Sequence, residues 1–214
     1  MNTRPQKLLR DHLAICPGLD YWLSHDPRFA ASSLTRDDVT ATVDHDLTLA
    51  ALAETITSQQ LSTKAAATIW SRVTAALDVN DPRAWLDQPD DDLRALGLSF
   101  QKIGYLQGLA RAVQVGDLDL SRVKKASNDE AIAALTSIKG FGRWSAQMIL
   151  IFTLARPDIW PSGDLGVQEG LRLYRKLLER PSAAMTEQYG MRYFRPHLTA
   201  AALLLWRLKD TQSK

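Results

Sequence analysis

Residues 135–150 read LTSIKGFGRWSAQMIL, and residues 161–164 read PSGD a short loop later. The apolar residues before the glycines have helical spacing, which predicts a helix that ends near Ser137. A second helix is predicted from about Arg143 to about Leu154. The first stretch therefore consists of two helices joined by a very tight glycine turn.

The predicted turn contains Gly140 and Gly142, one residue apart. Glycine reaches positive φ and lets another backbone approach closely. Because the turn opens a helix, free backbone N–H groups and the positive end of the helix dipole face outward. Such a place binds phosphate without reading sequence, so we expect the hairpin to grip a DNA backbone. The alternative is a plain helix-helix turn, with Asp164 as a cap for the next helix.

The composition is that of a soluble globular protein. The 214 residues suffice for one substantial core or two small lobes, and 45% are hydrophobic against 23% charged. No apolar run approaches the roughly 20 residues that a membrane helix needs, and the polar N-terminus is unlike a signal peptide. Cys16 is the only cysteine, which excludes an internal disulfide and indicates a reducing intracellular setting. The net charge of +2 is compatible with a nucleic-acid partner but does not demonstrate one.

Helical periodicity and capping residues predict an all-α fold of about ten helices. Besides the hairpin, helices are predicted over 7–15, 47–57, 63–77, 90–96, 165–178 and 196–208, and from Pro82 and Ser99. The Cys-Pro-Gly sequence at 16–18 is expected to end the first of them. We expect one lobe with the hairpin, about 47–155, and another from about 1–46 plus 156–214.

The hairpin and the aspartate after it resemble the helix-hairpin-helix (HhH-GPD) superfamily of DNA glycosylases. In that family the hairpin is followed by a Gly/Pro-rich loop and a catalytic Asp. The resemblance covers about 47–208 and is strongest to the alkylbase type (3-methyladenine DNA glycosylase II). It implies a two-lobed, all-α glycosylase fold with the DNA and base site in the cleft between the lobes. The residues that match the signature are Leu135, Ile138, Gly140, Phe141, Gly142, Ser145, Ala146 and Asp164.

Asp164 is the predicted catalytic residue. Cleavage of an N-glycosidic bond builds oxocarbenium character on the sugar, much as in glycoside hydrolysis. A carboxylate near C1′ stabilises that charge and can orient or deprotonate a water. Asp164 can also serve as the N-cap of the helix from Leu165, and the two roles are compatible.

Enzymes that act on a base take it out of the stack, which requires a grip on the backbone, a plug and a pocket. Ser145 is expected to add a hydroxyl to a phosphate, and Lys102 is either a second phosphate contact or a solvated surface lysine. The DNA-binding residues predicted in the hairpin are Lys139, Gly140, Phe141, Gly142, Arg143 and Ser145.

Residues 56–62, ITSQQLS, resemble the intercalating loop of the alkylbase glycosylases. Gln59 and Gln60 carry amides that can contact base edges. By position, Gln60 would be the wedge that fills the gap left by the flipped nucleotide, with Leu61 as the alternative. A polar loop between two helices is the other interpretation.

Trp144 and Met148, one helical turn apart, are predicted to line the base pocket, with Trp206 and Phe29 as further candidates. Trp206 lies in a strongly apolar helix and would otherwise be a core residue. Residues 194–207 resemble the C-terminal pattern of the family, in which a Trp lines the pocket. An electron-rich indole attracts a cationic alkylated base through a cation–π interaction.

The resemblance also indicates the subclass. Bifunctional members carry a nucleophilic Lys where this chain has Trp144, and iron-sulfur members need four C-terminal cysteines that are absent here. It thus implies a monofunctional alkylpurine glycosylase without redox cofactor or iron-sulfur cluster. It further implies a structural Na⁺ or K⁺ on the backbone carbonyls of Thr136, Ile138 and Phe141.

The expected partner is double-stranded DNA that contains damaged bases. We expect a monomer without a membrane partner, located in the cytoplasm or nucleoid, or in the nucleus of a eukaryote. Two alternative functions remain open at the level of sequence. One is a glycosylase for deaminated or etheno bases, and the other is a non-catalytic DNA-binding module.

Overall fold

The computed structural model describes residues 7–39, 41–43 and 46–212, and helices dominate this part of the chain. The predicted all-α class is confirmed, although the described residues form thirteen α-helices rather than about ten. In chain order these are α1 Cys16–His25, α2 Pro27–Ala30, α3 Leu49–Ser58, α4 Thr63–Ala76, α5 Pro82–Leu86, α6 Asp90–Ala95, α7 Phe100–Val115, α8 Leu120–Lys125, α9 Asn128–Thr136, α10 Arg143–Met148, α11 Leu165–Arg175, α12 Ala183–Tyr193 and α13 Leu198–Gln212.

Shorter elements complete the described fold. The strands β1 Lys7–Leu8 and β2 Thr42–Val43 pair antiparallel. A π-helical turn over Ile149–Thr153 continues α10, so the second hairpin helix is not α-helical to Leu154 as predicted. Within the described ranges, every helix is too short or too polar to cross a lipid bilayer.

Side-chain caps explain where several predicted helices begin. Ser62, Ser99 and Asp81 each accept a hydrogen bond from a backbone amide of the first turn that follows, at 3.3, 3.3 and 2.9 Å. Each bond satisfies an N–H that has no partner inside its helix. Capping residues therefore located α4, α5 and α7 correctly from sequence.

The prediction for the first helix is wrong. Residues 7–15 form a short strand, a 3₁₀ turn and a loop, and Pro17 lies in the first turn of α1 instead of ending a helix. Proline is tolerated in a first turn because the N–H it lacks would have no partner there. Gly18 then allows α1 to pack tightly, since a Cβ on it would lie 2.9 Å from the Cβ atoms of His197 and Ala200.

Besides α1, the four-residue α2 and the helices α8 and α12 were missed in the sequence. The six residues of α8 are too few to show a periodic apolar stripe, and α12 mixes polar and aromatic residues. Both begin at capping side chains, Asp119 and Ser182. Their positions are fixed by caps and by packing more than by hydrophobic periodicity.

The chain divides into two compact units. The hairpin unit contains residues 46–146, and the terminal unit contains residues 1–45 and 147–214. Residues 147–155, which were predicted to lie with the hairpin, belong to the terminal unit. The second hairpin helix therefore begins in one unit and ends in the other.

The terminal unit is built on an aromatic cluster and on α13. The ring of Phe194 lies 5.4–6.2 Å, between centroids, from the rings of five other aromatic residues, Trp22, Phe29, Trp160, Tyr174 and Tyr189. Residues 200–205 of α13 are all buried, as the apolar run predicted. Helix α11 approaches α13 closely, because a Cβ on Gly170 would lie only 2.2 Å from the carbonyl oxygen of Leu205.

The hairpin unit has a separate aliphatic core. Leu52 and Ile56 of α3, Leu106 and Leu109 of α7, and Leu135 of α9 are each at most 1% exposed. These side chains come from the helical stripes seen in the sequence. The first two turns of α7 lie beside the glycine turn of the hairpin and beside the loop that joins α3 to α4.

We expect Gly170→Ala to lower the free energy of unfolding by about 1–3 kcal/mol, the usual cost of overpacking. The added methyl would collide with the Leu205 carbonyl unless α11 moved away from α13. Urea denaturation measures the difference. Gly104→Ala is the control, because a Cβ at this position in α7 meets nothing within 4 Å. It should leave stability unchanged or raise it by up to ~1 kcal/mol, and equal stability of both variants would contradict the close approach.

Candidate functional site

The glycine turn of the hairpin is held by backbone geometry and by one aromatic ring. The amide of Phe141 donates to the carbonyl of Ile138 at 3.0 Å, and Gly140 has φ of +103°. A Cβ on Gly140 would lie 2.7 Å from the ring of Tyr105. Gly140 is therefore required both for its left-handed backbone and for the close approach of α7.

The predicted grip residues of the hairpin differ in exposure. Lys139, Gly142 and Arg143 are exposed at the tip of the turn, beside the backbone amides that open α10. Phe141 is only 6% exposed and anchors the turn in the hairpin unit, so its side chain is not available to a ligand. The accessible chemistry of the turn is two cationic side chains and main-chain N–H groups.

The expectation of an accessible hydroxyl at Ser145 is not met. Ser145 is 6% exposed and belongs to the packed side of α10. Trp144, its neighbour, lies on the other side with half of its surface exposed, and Met148 is half-buried one turn later. The face that carries Trp144 and Met148 is therefore the open one, as their spacing predicted.

The loop of residues 59–62, called the wedge loop below, joins α3 to α4 and presents two candidate side chains. Gln60 is exposed and has φ of +58°, an uncommon value for a residue with a Cβ. Leu61 follows it and is 38% exposed. Both candidates for the wedge are thus on the surface, at a backbone turn that stabilising contacts must hold.

Gln59 was predicted to contact base edges, but its side chain is hydrogen-bonded within the protein. Its side-chain amide donates to the carbonyl oxygen of Gly140 at 2.9 Å. The wedge loop is therefore bound to the glycine turn of the hairpin, 81 residues away in sequence.

Lys102 is not a solvated surface lysine, because its ammonium is bound within the protein. Its ammonium donates to the carbonyl oxygens of Thr57 and Gln59 at 2.6 and 2.8 Å, at the C-terminal end of α3. Burial lowers the pKa of this ammonium. A cation is favourable there because the last carbonyls of a helix lack intrahelical donors.

Asp164 lies in the terminal unit at the N-cap of α11, as the alternative interpretation of this residue anticipated. Its Oδ1 accepts hydrogen bonds from the amide of Val167 at 2.8 Å and from the indole Nε1 of Trp206 at 2.7 Å. The residue is partly exposed. Two donors from different helices hold one oxygen of the carboxylate, which fixes the orientation of the whole group.

Trp206 reaches Asp164 because α11 carries a glycine at the point of contact. A Cβ on Gly166 would lie 2.7 Å from the indole ring, and 3.0 Å from Oδ1 of Asp164. The indole also stacks on Phe152, with centroids 5.8 Å apart and an interplanar angle of 26°. Phe152 belongs to the π-helical turn, an irregularity that is frequent at functional sites.

A pocket of about 290 Å³ opens beside this indole. Apolar side chains form most of its wall, and one arginine contributes the polar edge. The lining residues are Val39, Ala41, Phe152, Leu203, Trp206 and Arg207. Only Trp206 was identified from sequence, because Phe152 is hidden in the apolar run 148–154 and the others carry no motif.

Phe29 is a core residue, contrary to its candidacy for the pocket. It is 0% exposed and packs on Tyr174, with ring centroids 4.7 Å apart. Tyr174 in turn donates to Asp26 at 2.6 Å, and burial raises its pKa. This part of the aromatic cluster stabilises the terminal unit and is closed to a ligand.

The expected cation would use main-chain oxygens only. Neutral backbone carbonyls of Thr136, Ile138 and Phe141 are ligands that suit a hard monovalent cation. The Ile138 carbonyl accepts the Phe141 amide and keeps a second lone pair, which is the kind of donor that a cation requires. Among the residues that the structure describes, no cluster of His, Cys, Asp or Glu side chains could hold a metal.

The predicted residues thus form two groups. In the terminal unit, Asp164 and Trp206 meet beside a pocket. In the hairpin unit, Gln59, Lys102 and Gly140 are joined by hydrogen bonds.

The chain is similar in sequence to known base excision DNA repair proteins. The family described as "HhH-GPD superfamily base excision DNA repair protein" matches residues 53–196. DNA-3-methyladenine glycosylase 1 of Schizosaccharomyces pombe is 35% identical over an alignment of 163 residues, and the match covers 73% of this chain and 70% of that protein.

Two solved structures are similar throughout. The S. pombe 3-methyladenine DNA glycosylase in complex with abasic DNA has a TM-score of 0.74 at 28% identity, over 89% of this chain and 95% of that one. DNA-3-methyladenine glycosidase of Bacillus halodurans has a TM-score of 0.77 at 28% identity, over 92% and 91% of the two chains.

We expect Gly140→Ala to destabilise the hairpin unit by about 1–3 kcal/mol, since alanine is strained at positive φ. Its methyl would also collide with Tyr105. Gly142→Ala is the matched control, because Gly142 is exposed, its φ is not positive and a Cβ meets nothing within 4 Å. Thermal unfolding of both variants should separate them, and equal midpoints would contradict the role assigned to Gly140.

Proposed function

This chain belongs to the HhH-GPD superfamily of base excision DNA repair proteins, and on that premise we propose that it is a DNA N-glycosylase that excises alkylated purines. The observation that carries the proposal is Asp164, held by an indole N–H and a helix N-terminus beside an aromatic pocket. The names of its relatives support the class of substrate, namely 3-methyladenine in DNA.

Asp164 would stabilise the reacting sugar. As the bond between C1′ and the purine nitrogen breaks, positive charge develops on the sugar, and a fixed carboxylate stabilises it. A water then adds to C1′ and its proton passes to the carboxylate or to solvent, while the base departs with the bonding electrons. The hydrogen bonds to Oδ1 keep the group aligned without reorganisation during the reaction.

The pocket beside Trp206 would select the base by charge. Purines alkylated at N3 or N7 carry a positive charge, and normal bases do not. An indole face attracts a cation by about 0.5–2 kcal/mol, and the stacked Phe152 holds the indole in place. The same positive charge makes the damaged purine a good leaving group, so the site needs little acid catalysis.

The hairpin would bind double-stranded DNA through its backbone. Lys139 and Arg143 are exposed beside main-chain amides, a combination that contacts phosphates and carries no sequence information. Gln60, with Leu61 beside it, would fill the gap left by the flipped nucleotide. A monovalent cation on the carbonyls of Thr136, Ile138 and Phe141 would rigidify the turn. We propose that the protein acts as a monomer.

Release of free base from a panel of duplexes, each with one lesion, tests the proposed activity. We expect excision of 3-methyladenine and 7-methylguanine. Duplexes with hypoxanthine or ethenoadenine test the substrate class, since preference for these would transfer the assignment to deaminated or etheno bases. Binding of every duplex without release of any base would identify a DNA-binding module.

Asp164→Asn should reduce single-turnover excision by roughly 10²- to 10³-fold or more, the scale on which one electrostatic group acts. Binding to the same duplex should persist, because the variant removes charge but little volume. Asp119→Asn is the matched control, since Asp119 also caps a helix, α8, through two backbone amides. Near-normal excision by Asp164→Asn would refute the proposed mechanism.

The products should be intact strands that contain an abasic site. Trp144 supplies no amine at the position where bifunctional family members carry their nucleophile, so no Schiff base can form there. Borohydride added during the reaction should trap no covalent complex of protein and DNA. Treatment of the products with hot alkali provides the positive control for strand cleavage, and trapping of a covalent complex would overturn the assignment.

A further inference from the structure

Helix α7 contacts both DNA-binding elements of the hairpin unit within its first two turns. Lys102 donates to carbonyl oxygens of Thr57 and Gln59, which precede the wedge candidate Gln60. Tyr105, three residues later, lies against Gly140 of the hairpin. The side chain of Gln59 connects the wedge loop to the hairpin directly, because it donates to the Gly140 carbonyl at 2.9 Å.

These contacts fix a backbone that the wedge side chain requires. Gln60 has a positive φ, which a residue with a Cβ adopts only where its surroundings enforce it. The residue before it is held at its carbonyl oxygen by Lys102 and at its side chain by the hairpin. The position of Gln60 is thus set jointly by α7 and by the turn that would grip the phosphates.

We propose that Gln59 and Lys102 are positioning residues that couple backbone binding by the hairpin to insertion of the wedge. We call this set of contacts among Gln59, Lys102 and Gly140 the clasp, and the inference rests on the proposed function. With the clasp in place, the wedge loop is ordered before DNA binds, and the ordering entropy is not lost during flipping. When the hairpin binds the DNA phosphates, Gln60 is then inserted into the duplex at a fixed depth.

The clasp is proposed to assist base flipping, and this effect can be distinguished from a general effect on the stability of the protein. Flipping costs a few kcal/mol in a paired duplex and least where the base is already unpaired. Loss of the clasp should therefore slow excision from a paired lesion and spare excision from the same lesion in a bulge. It should also leave Asp164 and its pocket unaffected.

Single-turnover excision is measured for Gln59→Met and Lys102→Met, each near-isosteric and without a donor. On a paired lesion we expect rates to fall by roughly three- to tenfold, the effect of one hydrogen bond, and on a bulged lesion to fall less. Adding Gln60→Ala to Gln59→Met should slow the reaction little beyond Gln60→Ala alone, since both changes remove the same insertion. Lys124→Met is the control, because it breaks an ion pair with Asp46 elsewhere in the unit.

A second readout does not depend on the chemistry. 2-Aminopurine placed opposite a non-cleavable abasic analogue reports disturbance of the opposite base by the wedge. Wild type and Lys124→Met should give the same fluorescence change, and the clasp variants a smaller one. If Gln59→Met lowers the thermal midpoint too far for assay, Gln59→Glu replaces it, since its carboxylate cannot donate to the Gly140 carbonyl.

The outcomes separate the inference from the proposed function. Absence of excision by the wild type would refute the proposed function itself. If the wild type excises and the clasp variants match it, lose rate equally on paired and bulged lesions, or add fully to Gln60→Ala, the clasp is structural only and the inference is wrong.

Discussion

The close approach of α11 to α13 is the constraint on which the terminal unit depends. Gly166 and Gly170 lie one turn apart on α11 and leave no room for a Cβ against Trp206 and Leu205. With the two helices this close, the indole N–H reaches the carboxylate at the N-cap of α11. A hydrogen bond to a charged group contributes about 1.5–3 kcal/mol, so a helix-packing contact also sets the geometry of the proposed catalytic group.

Asp164 is the N-cap of α11 and would also be the catalytic group of the proposed function. As the N-cap it satisfies a backbone amide of α11, and its negative charge is stabilised by the helix dipole. The same bonds fix the orientation of the carboxylate, and the indole that donates to it also lines a pocket together with the stacked ring of Phe152. Stability of the helix and preorganisation of the site therefore follow from the same hydrogen bonds.

The hairpin unit is organised by α7 in a comparable way. The apolar stripe of α7 supplies core leucines, while Lys102 and Tyr105 hold the two loops on either side. The burial of Lys102 is tolerable because its ammonium replaces water with carbonyl oxygens at a helix C-terminus. Rigid support of loops by a helix that is anchored in the core is what a functional loop needs to act with defined geometry.

The sequence by itself determined those structural elements that depend on a few neighbouring residues. The apolar stripes, the caps at Ser62, Asp81 and Ser99, and the glycine turn at Gly140 could all be identified without a structure, because each is decided by a few neighbouring residues. The hairpin followed by Asp164 also indicated the family, and it located the proposed catalytic residue.

Tertiary structure decided which predicted side chains are accessible and what they contact. Phe29 and Ser145 are buried. Gln59 and Lys102 donate to backbone carbonyls of the protein. The pocket beside Trp206 draws residues from widely separated positions, including Phe152 on a π-helical turn. Sequence spacing fixes which face of a helix a residue occupies, but only packing fixes what lies against that face, and the chemistry of a side chain depends on its partners.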